Sequence, residues 1–228
     1  MADESPRKSK LKKMSGEAEE AEGWLITYGD MMTLLMTFFV LLFSMSSIDP
    51  VKLEQFSDSV GKALGQKKKT ETFSLAEIYK EVIQVIEEER LKDQIEVETS
   101  PRGVAIKIPS EISFASGRAD MNPGIFAILN KFERMIRQSV FPIAIEGHTD
   151  NVPIRSEIFP SNWELSSARS AQVVKYYIAR GLPPDRFQAI GYADTRPRAI
   201  GRTIEEANNS REKQAQNRRV EILFLTMR

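Results

Sequence analysis

The chain has 228 residues, with 32 basic and 32 acidic side chains, one histidine and no cysteine. Balanced charge removes the main driving force for wholesale nucleic-acid binding, so no nucleic-acid partner is predicted. The absence of cysteine excludes disulfide scaffolds, thiolate metal sites and cysteine nucleophiles, and a lone histidine argues against a multi-histidine metal site or a histidine-based triad. We therefore expect no metal site.

The N-terminal part of the sequence divides into a polar tail and an apolar segment. Residues 1–23 carry five basic and six acidic side chains and hardly any large apolar ones, which predicts a disordered tail. Between Trp24 and Ile48 the only formally charged side chain is Asp30. A helix of this length spans about 37 Å, more than the roughly 30 Å hydrocarbon core of a bilayer. Residues 24–48 are therefore predicted to be one transmembrane helix.

The flanking charges predict the orientation of this helix. Five basic residues precede it, whereas Lys52 and Lys62 are the basic residues among the eighteen that follow. By the positive-inside rule the N-terminus is cytoplasmic and the C-terminal part lies in the periplasm, facing the wall. The apolar run is longer than the core of a cleavable signal peptide and lacks a small-residue cleavage site, so a membrane anchor is favoured.

Asp30 is the residue in this segment that requires an explanation. A carboxylate in a membrane helix is costly, about 2.5–3.5 kcal/mol at the centre, and usually marks an ion path or a partner contact. Burial disfavours its charged form, so it can alternate between neutral and charged states while carrying H+ or Na+. A carboxylate that snorkels to the interface, or pairs with a base of a neighbouring subunit, is the alternative. One helix cannot enclose an ion path, so a second membrane subunit is expected.

Three hydroxyl side chains lie on roughly the same helix face as Asp30 and are possible neighbours of the ion path. They are Thr27, Thr33 and Thr37. Hydroxyl oxygens are suitable ligands for a small cation, but threonines in membrane helices more often bond to their own backbone.

The segment 49–66 is predicted to be a short amphipathic helix that begins at Asp49 and Pro50. Its apolar stripe consists of Leu53, Phe56, Val60 and Leu64. Such a helix either lies in the membrane interface or docks on a partner and blocks the ion path. Residues 67–93 are predicted to be a polar linker followed by a helix with a capping box at Ser74 and Glu77.

Residues 94–228 are predicted to form an α+β domain, because strand-like and helix-like periods alternate along them. The expected strands cover 104–108, 143–147, 187–192 and 220–225. The expected helices begin at Asn122, at the capping box Ser161 to Glu164, and at Thr203.

Four motifs in this region, in order and spacing, resemble the OmpA-like peptidoglycan-binding domain. They are IEGHTDN (145–151), NWELSSARSAQVVKYY (162–177), IGYADTRP (190–197) and NRRVEILF (217–224). Together with WLITYGDMMTLLMTFFVLL at 24–42, they make nearly the whole chain similar to the MotB/PomB family of flagellar motor stator subunits. The resemblance implies a single transmembrane helix, a plug helix with a linker, and an OmpA-like β/α/β/α/β domain.

The resemblance places a wall-binding pair on Asp150 and Arg169. The diaminopimelate group of the wall peptide is zwitterionic, so a carboxylate suits its ammonium and a guanidinium suits its carboxylate. The alternative is a structural salt bridge between these two side chains. The flanking positions expected to orient the ligand or the loop are Asn151, Asn162 and Leu165. His148 is expected to be a packing or hydrogen-bonding residue at the strand end, and Arg218 and Arg219 are either further wall contacts or a solvated pair.

The resemblance also implies a mechanism. Two copies of the chain form a homodimer in the bacterial inner membrane, inside a ring of five MotA/PomA-like subunits. Asp30 carries H+ or Na+, residues 49–66 plug the channel, and peptidoglycan holds the complex still. The stretch LLFSMSSID is slightly more similar to sodium-type members.

No cofactor is implied, and neither a nucleotide loop nor a catalytic triad is visible, so a non-enzyme is predicted. Two other functions stay open. One is a stator-like subunit of another envelope machine, for example in phage defence. The other is a passive tether between membrane and wall.

Overall fold

The computed structural model describes residues 5–45, 50–63, 73–92 and 94–226. The chain divides between Ser47 and Ile48 into two compact units. The first unit is a single helix, and the second is a mixed helix and sheet domain. The α+β fold predicted from the sequence is confirmed.

Helix α1 spans Ser5–Met45. It begins well before the predicted membrane segment, so the expectation of a disordered tail over 1–23 is wrong from Ser5 onward. Lys, Glu and Ala dominate this stretch, and all three are strong helix formers, which extends the apolar helix in the N-terminal direction.

The part of α1 over Gly23–Met45 is long and apolar enough to cross a membrane. Its large apolar side chains, from Trp24 to Met45, are exposed around the whole helix. A helix whose side chains are apolar and exposed on all sides has the character of a membrane span. The last three residues of the predicted span, 46–48, lie outside the described residues.

Helix α2 spans Pro50–Ala63, and α3 spans Leu75–Glu88 with the predicted capping box at Ser74 and Glu77. Helix α2 packs against α3 through Val51, which is buried in the hydrophobic core. The Glu54 carboxylate accepts a hydrogen bond from the Ala76 backbone N–H at 3.2 Å, in the first turn of α3. Acceptors at this position satisfy a backbone donor that the helix itself leaves without a partner.

The apolar stripe predicted on α2 does not make this contact. Leu53, Phe56 and Val60 are exposed, and Leu64 lies outside the described residues. One face of α2 therefore packs on the domain, while the predicted plug face is left uncovered.

The sheet has five strands in the order β1-β2-β5-β3-β4. The strands are β1 Glu96–Ser100, β2 Gly103–Pro109, β3 Ile143–His148, β4 Phe187–Gly191 and β5 Arg219–Leu225. All neighbouring pairs are antiparallel except β3 and β4, which are parallel and joined by a helical crossover. The sequence patterns predicted four of these strands and missed β1, whose side chains are mostly polar.

The remaining helices are α4 Ser110–Ser113, α5 Pro123–Gln138, α6 Asn162–Ala179 and α7 Arg211–Asn217. The predicted helix start at Thr203 is wrong. A 3-10 turn occupies Glu206–Asn208, and α7 begins at Arg211 with Ser210 as its cap. Thr203 accepts a hydrogen bond from the Glu206 N–H, but this stabilises only the short turn.

Helices α3, α5 and α6 pack on one face of the sheet and enclose the main core. Gly147 in β3 is essential to this packing, because a Cβ at this position would lie 2.2 Å from the Ser166 carbonyl oxygen of α6. Only a glycine permits so close an approach of a helix to a strand. The end of β3 and the first turns of α6 are thereby held next to each other.

Candidate functional site

The end of β3, the first turns of α6, the segment after α4 and the residue that follows α7 surround a pocket of about 830 Å³. Four of the five side chains predicted to bind the wall line it: Asp150, Asn162, Leu165 and Arg169. Asn151 is half-buried and is not part of the lining. The tertiary structure thus brings together two motifs that are separated in the sequence.

Asp150 follows β3 directly, in a turn whose shape is set by hydrogen bonds. Its Oδ1 accepts the Val152 backbone N–H at 3.2 Å, as in an Asx turn. The Asn162 side-chain amide donates to the carbonyl oxygens of Asp150 and Val152, at 3.2 and 2.9 Å. Asn162, the first residue of α6, therefore holds the loop through its side-chain amide, and Asp150 is presented in a defined orientation.

Arg169 lies on α6 and is only 4% exposed. Its Nε donates to the Arg118 carbonyl oxygen at 2.9 Å and its Nη2 to the Ala115 carbonyl oxygen at 3.3 Å. The guanidinium lies over the Phe114 ring, 5.2 Å from the centroid, in a cation–π arrangement. These contacts fix the plane of the guanidinium at the pocket wall.

The ion pair of Asp150 is made with Arg218, and not with Arg169. Arg218 Nη1 lies 2.6 Å from Asp150 Oδ2, and its Nη2 lies 2.6 Å from Glu111 Oε1. The alternative of a structural salt bridge between Asp150 and Arg169 is therefore wrong. Arg218 lies in the sequence motif NRRVEILF, but nothing in the local sequence indicates Glu111 as its second partner.

The charges of the pocket interact strongly. Burial and, to a smaller extent, the positive charge of Arg218 lower the pKa of Arg169 to about 10, while Asp150 acts in the opposite direction. Burial alone would lower the pKa of Arg218, but its hydrogen bonds to Asp150 and Glu111 outweigh that effect and raise it. Both guanidiniums remain charged at neutral pH, and they face one buried carboxylate, Asp150, and one exposed carboxylate, Glu111.

Asn217 fixes the backbone from which Arg218 extends. Its Oδ1 accepts from the N–H groups of Arg198 and Ala199, and its Nδ2 donates to Ala207 O and Asn208 Oδ1, all at 2.8–2.9 Å. This fully buried amide uses all of its hydrogen-bonding capacity, so a substitution would leave several buried polar groups without partners. The sequence analysis missed this role because the partners lie 9–19 residues away.

A second polar cluster lies on the opposite face of the sheet from the helices. Glu146, His148 and Glu221 are buried there, with His148 Nε2 4.0 Å from a Glu146 oxygen and 3.8 Å from a Glu221 oxygen. Arg102 pairs with Glu146, and Arg219 Nε donates to Glu221 at 2.6 Å.

His148 stacks on Tyr192 with ring centroids 5.4 Å apart, in line with the packing role expected for it. Arg219 belongs to this cluster and not to a solvated pair.

The geometry of this cluster is compatible with three metal ligands, because one ligand atom from each residue lies within 4.8 Å of the others. The charges of the cluster are not compatible with a bound metal ion, because Arg102 and Arg219 already neutralise the two carboxylates. A further divalent cation would have to compete with these guanidiniums in a buried environment. We interpret the cluster as a structural ion network.

In α1 the three threonines form hydrogen bonds to their own helix. The hydroxyls of Thr27, Thr33 and Thr37 donate to the carbonyl oxygens of Trp24, Asp30 and Thr33, at 2.9, 2.8 and 2.6 Å. This is the commoner behaviour of membrane threonines. Thr33 contacts the backbone of Asp30, and the Asp30 side chain is exposed on the helix surface.

Two family models match this chain. One, described as membrane MotB of the proton-channel complex MotA/MotB, matches residues 7–64. The other, the OmpA family, matches residues 113–211. The first match includes Asp30 and α2, and the second includes Asp150 and Arg169.

Similar proteins extend over the whole chain. The uncharacterized protein YtxE of Bacillus subtilis is 31% identical, over 96% of each chain. Motility protein B of the same organism is 28% identical, over 95% of each chain. The structure of the cell wall anchor of the T6SS from Pseudomonas aeruginosa is 30% identical, with a TM-score of 0.55, and the match covers 63% of this chain and 96% of that one.

The chain therefore belongs to the MotB-like family of proteins with an OmpA-like domain. Members of this family work with MotA, bind peptidoglycan and are not enzymes. The predictions that the chain belongs to this family and that it is not an enzyme are confirmed. The apolar helix and the domain that follows it fit a single-pass inner-membrane protein.

His148 makes the stability of the domain depend on pH. Burial lowers its pKa to about 2, helped by the positive charges of Arg219, Arg196, Lys107 and Arg102. In the unfolded chain the value is about 6.5, so the unfolded state binds one more proton below that pH. The contribution of neutral His148 is complete above pH 6.5 and is lost as pH falls, by up to about 1.4 kcal/mol per pH unit.

We expect the urea midpoint of the protein to fall between pH 6.5 and 5, a range above the titration of most carboxylates. Because His148 is the only histidine, His148→Gln should flatten this slope, whatever its effect on the absolute stability. An equal slope in the variant would contradict the assignment.

Proposed function

We propose that this protein is the B subunit of an ion-driven flagellar motor stator. The observation that carries the proposal is Asp30, the one carboxylate in the apolar helix Gly23–Met45, in a chain whose C-terminal domain has a pocket lined by Asp150 and Arg169. An ionisable residue at this depth is costly, and it persists where it serves an ion path or a partner.

Asp30 is the proposed carrier of H+ or Na+. Moving one charge through 100 mV changes the free energy by about 2.3 kcal/mol, which is comparable with the cost of burying the carboxylate. The membrane potential can therefore drive the alternation between loaded and unloaded states. Thr27, Thr33 and Thr37 are possible neighbours of the path, because a hydroxyl that donates to the backbone keeps its oxygen lone pairs.

The ion path needs further subunits, since the helix α1 presents Asp30 on an exposed surface. We propose that two copies of the chain stand inside a ring of five MotA/PomA-like subunits, with the N-terminus in the cytoplasm and residues 49–228 in the periplasm. Loading and unloading of Asp30 turns the ring around the dimer. No cofactor takes part.

Torque requires a fixed point, and we propose that the pocket provides it by binding the wall peptide. Asp150 accepts the ammonium of the diaminopimelate group, and Arg169 binds its carboxylate. Leu165 and Asn162 shape the pocket, and Asn151 supports the loop. The positions of Asp150 and Arg169 on one pocket, without an ion pair between them, support this assignment because both keep capacity for a ligand.

The role of Asp30 as an ion carrier can be tested by substitution. Asp30→Asn removes the group that changes charge, so we expect swimming to be abolished while the protein still reaches the membrane. Swimming speed is measured in cells that lack any other stator, with external sodium varied at fixed pH and membrane potential. Speed that follows sodium indicates Na+, and speed indifferent to sodium indicates H+.

The matched control is Asp185→Asn, which removes an exposed carboxylate of the domain and should leave swimming unchanged. Full swimming with Asp30→Asn would refute the carrier role and leave a passive tether. A further comparison deletes the whole protein. If swimming is unchanged by this deletion and by both substitutions, the chain serves another envelope machine.

The second prediction concerns the wall. Each charge-assisted hydrogen bond contributes about 1.5–3 kcal/mol, so Asp150→Asn should weaken binding of the full-length protein to purified peptidoglycan sacculi about tenfold or more. Arg169→Gln should act in the same direction, with some loss of stability because two backbone carbonyls lose their donor. Arg134→Gln, on the exposed side of α5, is the control. Unchanged binding of Asp150→Asn would exclude this pocket as the wall site.

The third prediction concerns α2 as the plug. Replacing the exposed Leu53, Phe56 and Val60 by serine removes the apolar face that would seal a channel. We expect ion leak and slower growth when this variant is expressed with the ring subunit. Lys52→Gln, next to the stripe on an exposed position, should not leak. A triple variant that leaks no more ions than the wild type would refute the plug assignment.

A further inference from the structure

Arg218 is the one pocket residue whose side chain bridges two carboxylates. Its two terminal nitrogens each lie 2.6 Å from a carboxylate oxygen, one on Asp150 and one on Glu111. The Asp150 side chain is 11% exposed, whereas that of Glu111 is 63% exposed. Exposed ion pairs contribute little, so the Glu111 branch holds Arg218 weakly and the Asp150 branch holds it firmly.

Arg169 is in a different situation. It donates two hydrogen bonds to backbone carbonyls and contacts the Phe114 ring, and it makes no ion pair among the described residues. The pocket therefore has two guanidiniums and a single buried carboxylate. The other carboxylate of the pocket lining, Glu111, is exposed and pairs with Arg218, so no carboxylate of the described residues pairs with Arg169. A ligand carboxylate next to Arg169 would supply that missing partner, whereas a neutral group would not.

We propose that Arg218 is a further specificity-determining residue of this pocket, and that together with Arg169 it selects a wall-peptide end with a free carboxylate over the same end as a carboxamide. This inference rests on the proposed wall-binding function. In this arrangement Arg218 binds the ligand carboxylate, and Asp150 still binds the ligand ammonium.

The chemistry of the two ends explains the selection. A guanidinium offers two parallel N–H donors, which match the two oxygens of a carboxylate. A carboxamide has one oxygen, and its NH2 group would face the N–H donors of Arg169 and Arg218. Buried donors without an acceptor are costly, so a site built for an acceptor pair rejects the amide strongly.

Asp150 can serve the ammonium without losing Arg218. A carboxylate has about four lone-pair positions, and the structure uses one on Oδ1 for the Val152 N–H and one on Oδ2 for Arg218. The remaining positions are available to an ammonium. Arg218 gives up only its exposed contact with Glu111 to reach the ligand carboxylate.

The test uses the full-length protein in detergent and two synthetic wall peptides that end in meso-diaminopimelate, one with the free carboxylate and one with the carboxamide. Calorimetric titration gives both affinities. We expect the wild type to bind the acid about tenfold or more tightly than the amide. Arg218→Gln should lower the preference to about threefold or less, through weaker binding of the acid.

Two further variants complete the design. Arg211→Gln removes an exposed arginine from α7, outside the pocket lining, and should keep the full preference. Arg218→Lys retains the positive charge and should keep part of it. This second variant supplies the measurement if Arg218→Gln proves unstable in thermal unfolding.

The same preference in Arg218→Gln as in the wild type would overturn the inference. So would tighter binding of both peptides by that variant, because Arg218 would then compete with the ligand ammonium for Asp150. A wild type that binds both peptides equally while retaining sacculus binding refutes this inference alone. A wild type that binds neither peptide nor sacculi refutes the proposed wall-binding function instead.

Discussion

The close contact between β3 and α6 is the constraint on which the pocket depends. Gly147 lets the backbone of Ser166 approach so closely that even a methyl group would collide with it. The buried Ser166 hydroxyl in turn accepts the Ala193 N–H, which ties the loop after β4 to the same point. Asp150 follows Gly147 by three residues, and Arg169 follows Ser166 by three on the helix. The two are therefore placed on one pocket by backbone packing, without a direct ion pair between them.

The buried charged side chains are paired to different extents on the two faces of the domain. On the sheet face away from the helices, Glu146 and Glu221 are each matched by an arginine, and His148 is kept neutral by burial. In the pocket the guanidiniums of Arg169 and Arg218 exceed the one buried carboxylate. A closed ion network stabilises a single structure, whereas an incomplete one retains capacity for a charged ligand. This difference separates the structural cluster from the proposed binding site.

Helix α2 has a different role on each of its faces. Val51 and Glu54 attach it to the domain, through the core and the first turn of α3. Leu53, Phe56 and Val60 remain exposed, as a helix that seals a partner channel requires. Amphipathic periodicity identifies an apolar stripe, but it cannot say which partner covers that stripe. Here α2 is attached to the domain by Val51 and Glu54, which lie outside the stripe. The attachment to the domain and the proposed plug function therefore do not compete for the same side chains.

The sequence was sufficient to predict the apolar helix with Asp30, the α+β class, and the motifs that contain Asp150 and Arg169, because these follow from local composition, periodicity and fixed spacing. It gave the wrong start for the last helix and missed the polar strand β1, since neither has a strong local pattern. Only the tertiary structure showed that Arg218 pairs with Asp150 and Glu111, that Asn217 fixes the adjoining backbone, and that Val51 is buried. These facts depend on contacts between residues far apart in the chain, whose energies appear only when the sheet and helices have packed.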